Sequence, residues 1–238
     1  MGRNIQNPSP GRSVLNSTQT QPHRSETGSA STLHLEAVDL ECVRSDRLLF
    51  TGLNLSLRPG NLIQIEGPNG SGKTSLLRIL CGLTSPTQGE VRWCGRDIRA
   101  VRPEYMAAVA YLGHSPGLKG DLTPRENLAI ARGFAAANAA VSVDEALQRL
   151  EMSDFDDQPV RTLSAGQKRR VALARLLAIE TTVWILDEPF TALDRSGVRL
   201  VEKMLAEHLL RGGMAVLTTH HPVGIAESHV TRMDLGSS

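Results

Sequence analysis

Aromatic side chains are scarce in this 238-residue chain: Phe, Trp and Tyr together make up 3% of it. Surfaces that bind single-stranded nucleic acid rely on rings that stack on bases. A formal net charge of +1 offers no broad positive field to a phosphate backbone either, so the composition argues against a nucleic-acid partner. Cysteine is rarer still. Cys42, Cys81 and Cys94 form no C-x-x-C pair and are odd in number, which speaks for reduced, mostly buried thiols in a reducing compartment. Long apolar runs are missing too. The longest uncharged stretch, Gly212 to Ala226, contains His220, His221 and Pro222, whereas a membrane span needs roughly 18 or more apolar residues. No lipidation signal or basic amphipathic face stands in for a span, so any membrane role has to run through a protein partner. With 40% hydrophobic residues the chain can still bury a core, and its length suits one α/β domain or two intimate lobes.

Residues 1–31 are rich in Ser, Thr, Asn, Gln, Pro and Gly and poor in aliphatics, the composition of a disordered extension. Arg3, Arg12 and Arg24 against the lone acid Glu26 resemble an organelle transit peptide, but Pro8, Pro10 and Pro22 would break its amphipathic helix. The folded part is expected over 32–238. Leu33 to Val38 and Leu53 to Leu57 alternate with period two and read as half-buried strands. With Glu90 to Trp93, after the turn Ser85-Pro86-Thr87-Gln88-Gly89, they predict a small antiparallel lobe. Val109 to Leu112, Thr182 to Leu186, Ala215 to Thr219 and Val230 to Leu235 read as further strands. Between them, Thr123/Glu126, Ser142/Glu145 and Ser164/Gln167 have the spacing of capping boxes that open helices. Residues 116–162 are thus expected to form a mainly helical insert.

The strongest local signal is Gly67-Pro68-Asn69-Gly70-Ser71-Gly72-Lys73-Thr74, which fits G-x-x-x-x-G-K-[ST], a phosphate-binding loop. The apolar run Leu62 to Glu66 before it reads as a buried strand, and Ser75 to Leu80 after it as a helix. Glycines let successive backbone N–H groups face an anion, and the helix start adds roughly half a positive charge. Lys73 would reach the β- and γ-phosphates, and the Thr74 hydroxyl would face Mg²⁺. Asp187-Glu188-Pro189 follows another apolar run. Alone it reads equally as a strand-end turn. Beside a phosphate loop, Asp187 suits the metal side and Glu188 a general base for the attacking water.

Leu163-Ser164-Ala165-Gly166-Gln167 resembles the LSGGQ signature of ABC-transporter ATPases, with Ala165 in place of the first glycine. The resemblance covers about residues 32–235, with the motifs in the family's order. It implies an α/β fold, a P-loop ABC ATPase with a RecA-like core, an antiparallel β lobe and the helical insert. It also implies ATP and Mg²⁺ as ligands, with Gly67, Pro68, Asn69, Gly70, Ser71, Gly72, Lys73, Thr74 and Ser75 at the nucleotide and Thr74 and Asp187 at the metal. By the same resemblance, Ser164, Ala165, Gly166 and Gln167 would bind the γ-phosphate of ATP held by another subunit, so the working unit would be a head-to-tail homodimer. Thr191-Ala192-Leu193-Asp194 is similar to the D-loop, which puts Asp194 at the dimer contact. His220 resembles the switch histidine that holds the attacking water, while His221 has no matching role and reads as a loop residue.

Two positions depart from the family pattern. A glutamine near Mg²⁺ is usual where this chain has His114. Mg²⁺ prefers oxygen and keeps its waters, so His114 is expected to act through water or by hydrogen bonding. The usual adenine-stacking aromatic falls at Arg44, which either stacks its guanidinium on the base or is a solvated turn residue. Tyr111 to His114, Leu163 to Leu176, Trp184 to Ala192 and Leu217 to His220 together look like the ATP-binding subunits of haem exporters of cytochrome c maturation. That resemblance implies a peripheral subunit on the cytoplasmic face of the inner membrane. It would work with integral membrane subunits and, indirectly, a haem chaperone, and its coupling surface would be the helical insert and the loop from His114 to Gly120. Rival readings are an ATPase for another exporter, a soluble ABC-type assembly ATPase and a nucleotide-gated binding module.

Overall fold

Alternation between buried and exposed residues runs along the first strand, β1 (Leu35–Arg44), but slips by one part-way. Leu35 and Ala37 face inward before the slip, Leu40 and Cys42 after it. The slip is a bulge at Asp39, whose φ is 47°. One extra residue in a strand moves every later side chain to the opposite face. The same happens in β2 (Arg47–Leu57) near Gly52, φ 61°. Asn54 ties the two irregularities together by donating to Asp39 Oδ1 (2.9 Å) and accepting from Asp39 N (3.0 Å). A period-two reading stops at such breaks, which is why the sequence suggested strands ending at Val38 and beginning only at Leu53. Both are about twice as long in the computed structural model, which describes Met1 and residues 33–236. The extension read over residues 1–31 lies outside the described residues, Met1 apart.

Two sheets share the compact unit Ser31–Ser238. β1, β2, β4 (Gln88–Trp93) and the short β5 (Arg96–Asp97) form an antiparallel sheet in the order β2-β1-β4-β5. The other is parallel, in the order β6-β7-β8-β3-β9: β3 (Leu62–Glu66), β6 (Val109–Leu112), β7 (Val183–Asp187), β8 (Met214–Thr218) and β9 (Val230–Asp234). Every residue of β7 and β8 is buried, the pattern of a parallel strand covered on both faces. Period two decides which core each side chain joins. Val183, Ile185, Met214 and Val216 pack towards the antiparallel sheet with α1 (Lys73–Leu80). Trp184, Leu186, Ala215 and Leu217 pack towards the helices on the other face.

Those helices are α3 (Pro124–Phe134), α4 (Val143–Arg149), α5 (Ala165–Ala178) and α6 (Arg195–Leu210). Thr123 and Ser164 make reciprocal capping boxes with Glu126 and Gln167. Ser142 makes only half of one: it accepts from Glu145 N, but the Glu145 carboxylate turns away to Arg149 one helical turn on (Nε–Oε1 3.0 Å). An i,i+4 arginine outcompetes the backbone N–H there. α2 (Arg102–Ala108), just before β6, has Tyr105 as its buried residue, too little for a periodic signal. Cys42 and Cys81 are buried and Cys94 is partly so, all as free thiols.

At the far end of the parallel sheet from the strand termini that carry the motifs, the rings of Trp184 and His208 stack 3.8 Å apart and within 5° of parallel. His208 Nε2 lies 3.2 Å from Met214 O. A Cβ on Gly213 would stand 2.4 Å from the imidazole, so glycine is required for the stack. Burial pushes the His208 pKa down from 6.5 to about 4. The unfolded chain therefore takes up a proton that the folded chain refuses. Stability held above pH 6.5 should be lost as pH falls towards 4, by up to about 3 kcal/mol. Urea midpoints at pH 7.5 and 4.5 check this: His208→Gln should be less stable at pH 7.5 yet lose less on acidification. An equal acid loss in both proteins would sink the idea.

Candidate functional site

Where β3 ends at Glu66 the chain must turn sharply to start α1 at Lys73. Gly67, Gly70 and Gly72 take φ values of 135°, 83° and 100°, a region where side chains are strained. Gly72 is also cramped: a Cβ there would meet Leu49 Cβ at 3.1 Å and Phe50 Cδ1 at 3.2 Å. α1 has no side-chain cap, so N–H groups of its first turn remain available to an anion. Ser71 Oγ is buried without a hydrogen-bond partner. Lys73 Nζ folds over the loop and donates to Gly67 O (2.6 Å) and Pro68 O (3.2 Å). The cleft in front, about 490 Å³, is lined by Asn69, Gly70, Gly72, Lys73, Thr74 and Ser75, with Leu49, His114, Asp187 and Glu188. Both departures from the family pattern are thereby located. His114 is exposed and faces this cleft. Arg44 is not in the lining; its guanidinium donates to Val43 O (3.0 Å) and Ser85 O (3.2 Å).

The acidic side is built from β7 and β8. Asp187, 3% exposed, has both carboxylate oxygens engaged. Thr74 Oγ1 donates to Oδ2 (2.9 Å) and Thr218 Oγ1 to Oδ1 (2.7 Å). Glu188 follows with φ 49°, and its N–H donates to Thr218 Oγ1 at 3.0 Å. His220, exposed, places Nε2 3.6 Å from Glu188 Oε1. His221 is more than a loop filler. Its ring lies 5.2 Å from that of Phe190, and its Nε2 is 3.9 Å from Glu202 of α6.

Two contributors escaped the sequence reading. Thr218 ends an otherwise apolar strand with its hydroxyl fully buried, and that burial, a property of the fold rather than of the sequence, is what marks it. Arg169 lies in the second turn of α5, 3% exposed. It donates to the carbonyls of Asp187 (2.6 Å), Glu188 (2.6 Å), Pro189 (3.2 Å) and Gly113 (2.9 Å). Burial lowers its pKa to about 10. An arginine in a run of basic residues reads as a solvated face, so sequence gives no hint of its burial.

A second cleft, about 530 Å³, is lined by Ser164, Ala165, Gly166 and Gln167 together with Ala192 and Asp194. Among the described residues the two linings share no member. Ser164 Oγ accepts from Gln167 N (3.2 Å), and Gln167 Oε1 accepts from Ser164 N (2.8 Å). Ala165 is exposed, whereas a Cβ on Gly166 would lie 2.7 Å from Ala192 O. Asp194 is fastened within its own chain as the cap of α6. Its Oδ1 accepts from Gly197 N (2.8 Å) and Arg170 Nη2 (2.9 Å), contacts that hold its carboxyl below the usual range.

Comparison with known proteins agrees with this geometry. A family profile described as "ABC transporter" matches residues 50–191. This chain belongs to the ABC transporter ATPases. It is 54% identical over 192 residues to the cytochrome c biogenesis ATP-binding export protein CcmA of Methylococcus capsulatus, covering 79% of this chain and 92% of that one. The same-named protein of Nitrosospira multiformis is 50% identical over 206 residues, covering 84% and 98%. A solved structure of the ATP-binding subunit of an ABC transporter superposes with a TM-score of 0.76 at 23% identity, covering 86% of this chain and 87% of that one. As an ABC ATPase subunit the chain is an ATP-binding enzyme of a transport system. Among the described residues no helix is long and apolar enough to cross a membrane.

The two small residues of the ABC signature should differ in tolerance. Gly166→Ala is expected to cost about 1–3 kcal/mol through the clash with Ala192 O, and Ala165→Gly less than about 1 kcal/mol. Denaturant midpoints compare them; equal effects would show that the Gly166 backbone approach is not limiting.

Proposed function

We propose that this chain is the ATP-hydrolysing motor of a haem exporter in cytochrome c biogenesis. We place it as a head-to-tail homodimer at the cytoplasmic face of the inner membrane, on integral membrane subunits. What carries the reading is the 54% identity along 92% of a relative named for cytochrome c biogenesis export, in a chain that keeps Lys73, Thr74, Asp187 and Glu188 around one cleft. Identity spread over that length concerns the whole subunit rather than its motifs alone.

In this reading the loop N–H groups and the start of α1 seat the phosphates of ATP. Lys73 leaves the carbonyls of Gly67 and Pro68 for the β- and γ-phosphates. Ser71 Oγ, buried and unpartnered, fits a phosphate acceptor. Thr74 Oγ1 and Asp187 Oδ2, 2.9 Å apart, fit Mg²⁺, an oxygen-seeking ion that takes the rest of its shell from phosphate and water and neutralises phosphate charge. His114 acts there through water or a hydrogen bond, since imidazole suits Mg²⁺ poorly. Glu188 takes the proton of the attacking water, and His220, 3.6 Å away, orients it. Ser164 to Gln167 close over ATP held by the second subunit, with Asp194 at the contact. The helical insert and the loop from His114 to Gly120 meet the membrane subunits. A haem chaperone stands downstream of the ATP cycle.

Glu188→Gln should bind ATP and lose about 10²–10⁴-fold in turnover, running as a dimer with ATP on size exclusion, while Lys73→Ala stays monomeric. Normal turnover in Glu188→Gln would overturn its role. Arg44→Ala should leave the ATP KM nearly unchanged, because its guanidinium lies outside the cleft lining and is engaged by Val43 O and Ser85 O; a rise of a few-fold, the scale of an exposed cation–π contact of about 0.5–1 kcal/mol, would restore base stacking. In cells, deleting the gene should abolish haem-stained c-type cytochromes and spare b-type ones, with neither Lys73→Ala nor Glu188→Gln restoring them. Normal c-type staining in a clean deletion would remove the haem assignment and leave the ATPase.

A further inference from the structure

Arg169 is a buried cation whose four acceptors are all backbone carbonyls. A guanidinium has five N–H donors in a rigid fork, so it can hold several acceptors at fixed relative positions. Here the fork joins three parts of the molecule. Its own helix, α5, begins at the signature residues, with Ser164 as cap. Nη2 bonds both Asp187 O and Glu188 O, and Nε bonds Pro189 O, so the corner after β7 is gripped along three successive carbonyls. Nη1 reaches Gly113 O, the residue before His114.

The corner needs such a grip. Glu188 sits at φ 49°, and a non-glycine residue keeps that conformation only where its surroundings over-determine it. Thr218 fixes the Glu188 N–H from one side; Arg169 fixes its carbonyl from the other. The direction in which the Glu188 carboxylate leaves the chain is thus set between them.

We propose that Arg169 is a positioning residue for ATP hydrolysis: it aims Glu188 at the attacking water and ties that aim to the signature helix and to the loop opening at His114. A shift of α5 carries the guanidinium with it, and with the guanidinium the carbonyls of Glu188 and Gly113. This rests on the reading of Glu188 as general base. A purely architectural arginine would stabilise the fold and influence turnover only through the amount of folded protein.

The test measures steady-state ATP hydrolysis by the full chain carrying Arg169→Gln or Arg169→Lys, each with Glu188 intact and as Glu188→Gln. Arg169→Gln should lower kcat about tenfold or more while the ATP KM stays within about threefold, the mark of an interaction that matters to the transition state. Arg169→Lys keeps the charge but not the fork, and should recover part of the loss. In the Glu188→Gln background Arg169→Gln should change residual turnover by less than about twofold, since a residue acting through Glu188 has nothing left to aim. ATP-dependent dimerisation of that double variant should persist. Multiplicative losses in the double variant would overturn the inference. So would a KM rise that accounts for the whole effect, or an unchanged kcat in both single variants. If Arg169→Gln does not melt cooperatively, Arg169→Lys decides by the same criteria. Normal turnover in Glu188→Gln alone overturns the reading of Glu188; lost turnover there with undiminished kcat in the Arg169 variants overturns only the inference.

Discussion

A charge taken out of water must be fully partnered or it shifts towards neutrality, and Asp187 shows how this molecule meets that demand. Each of its oxygens accepts one hydroxyl, from Thr74 on α1 and from Thr218 at the end of β8. Those partners lie in different elements, so the carboxylate can be buried only if α1, β7 and β8 arrive together. The strand order β7-β8-β3 brings them there: β3 delivers α1 through its loop, and β8 separates it from β7 by one strand width. Thr218 serves twice, donating to Asp187 and accepting from Glu188 N, which passes the constraint to the next residue.

Around this point the parallel sheet works as a wall between two cores. Its residues alternate between packing on the antiparallel sheet with α1 and packing on the helices of the other face. A volume change on one side of β7 or β8 therefore reaches the opposite core through a strand that has no solvent-facing side. The candidate site residues gather at the carboxyl ends of the strands, the usual crevice of open α/β sheets. The Trp184–His208 stack closes the other end.

Legibility in the sequence followed how local the cause was. β3 and β6 could be bounded from their residues because an apolar run between turn signals is a local pattern. The caps at Thr123 and Ser164 were equally plain, since a capping box involves a span of four residues. β1 and β2 were truncated in the reading because their bulges reverse the alternation on which it depends. The half-formed cap at Ser142 failed because Arg149 competes for Glu145. In the site, the motif residues around the phosphate loop stand out by type and spacing, and the cleft brings Lys73, Thr74, His114, Asp187 and Glu188 together. Thr218 and Arg169 are invisible in sequence because their partners lie 31 and 56 residues away at the extremes, and because neither threonine nor arginine is distinctive by type.

The two clefts, whose linings share no member among the described residues, would have a genetic consequence in a head-to-tail pair of chains. Each nucleotide would then be enclosed by the loop of one chain and the signature of its partner. A lesion in the loop and a lesion in the signature, carried by different chains, fall into the same composite site and leave the second site whole. The same two lesions on one chain beside a wild-type partner spoil both sites. In such a dimer, alleles of this gene would divide into two complementation classes defined by which cleft they touch, and a cell carrying two alleles would distinguish mutations in cis from mutations in trans within a single polypeptide.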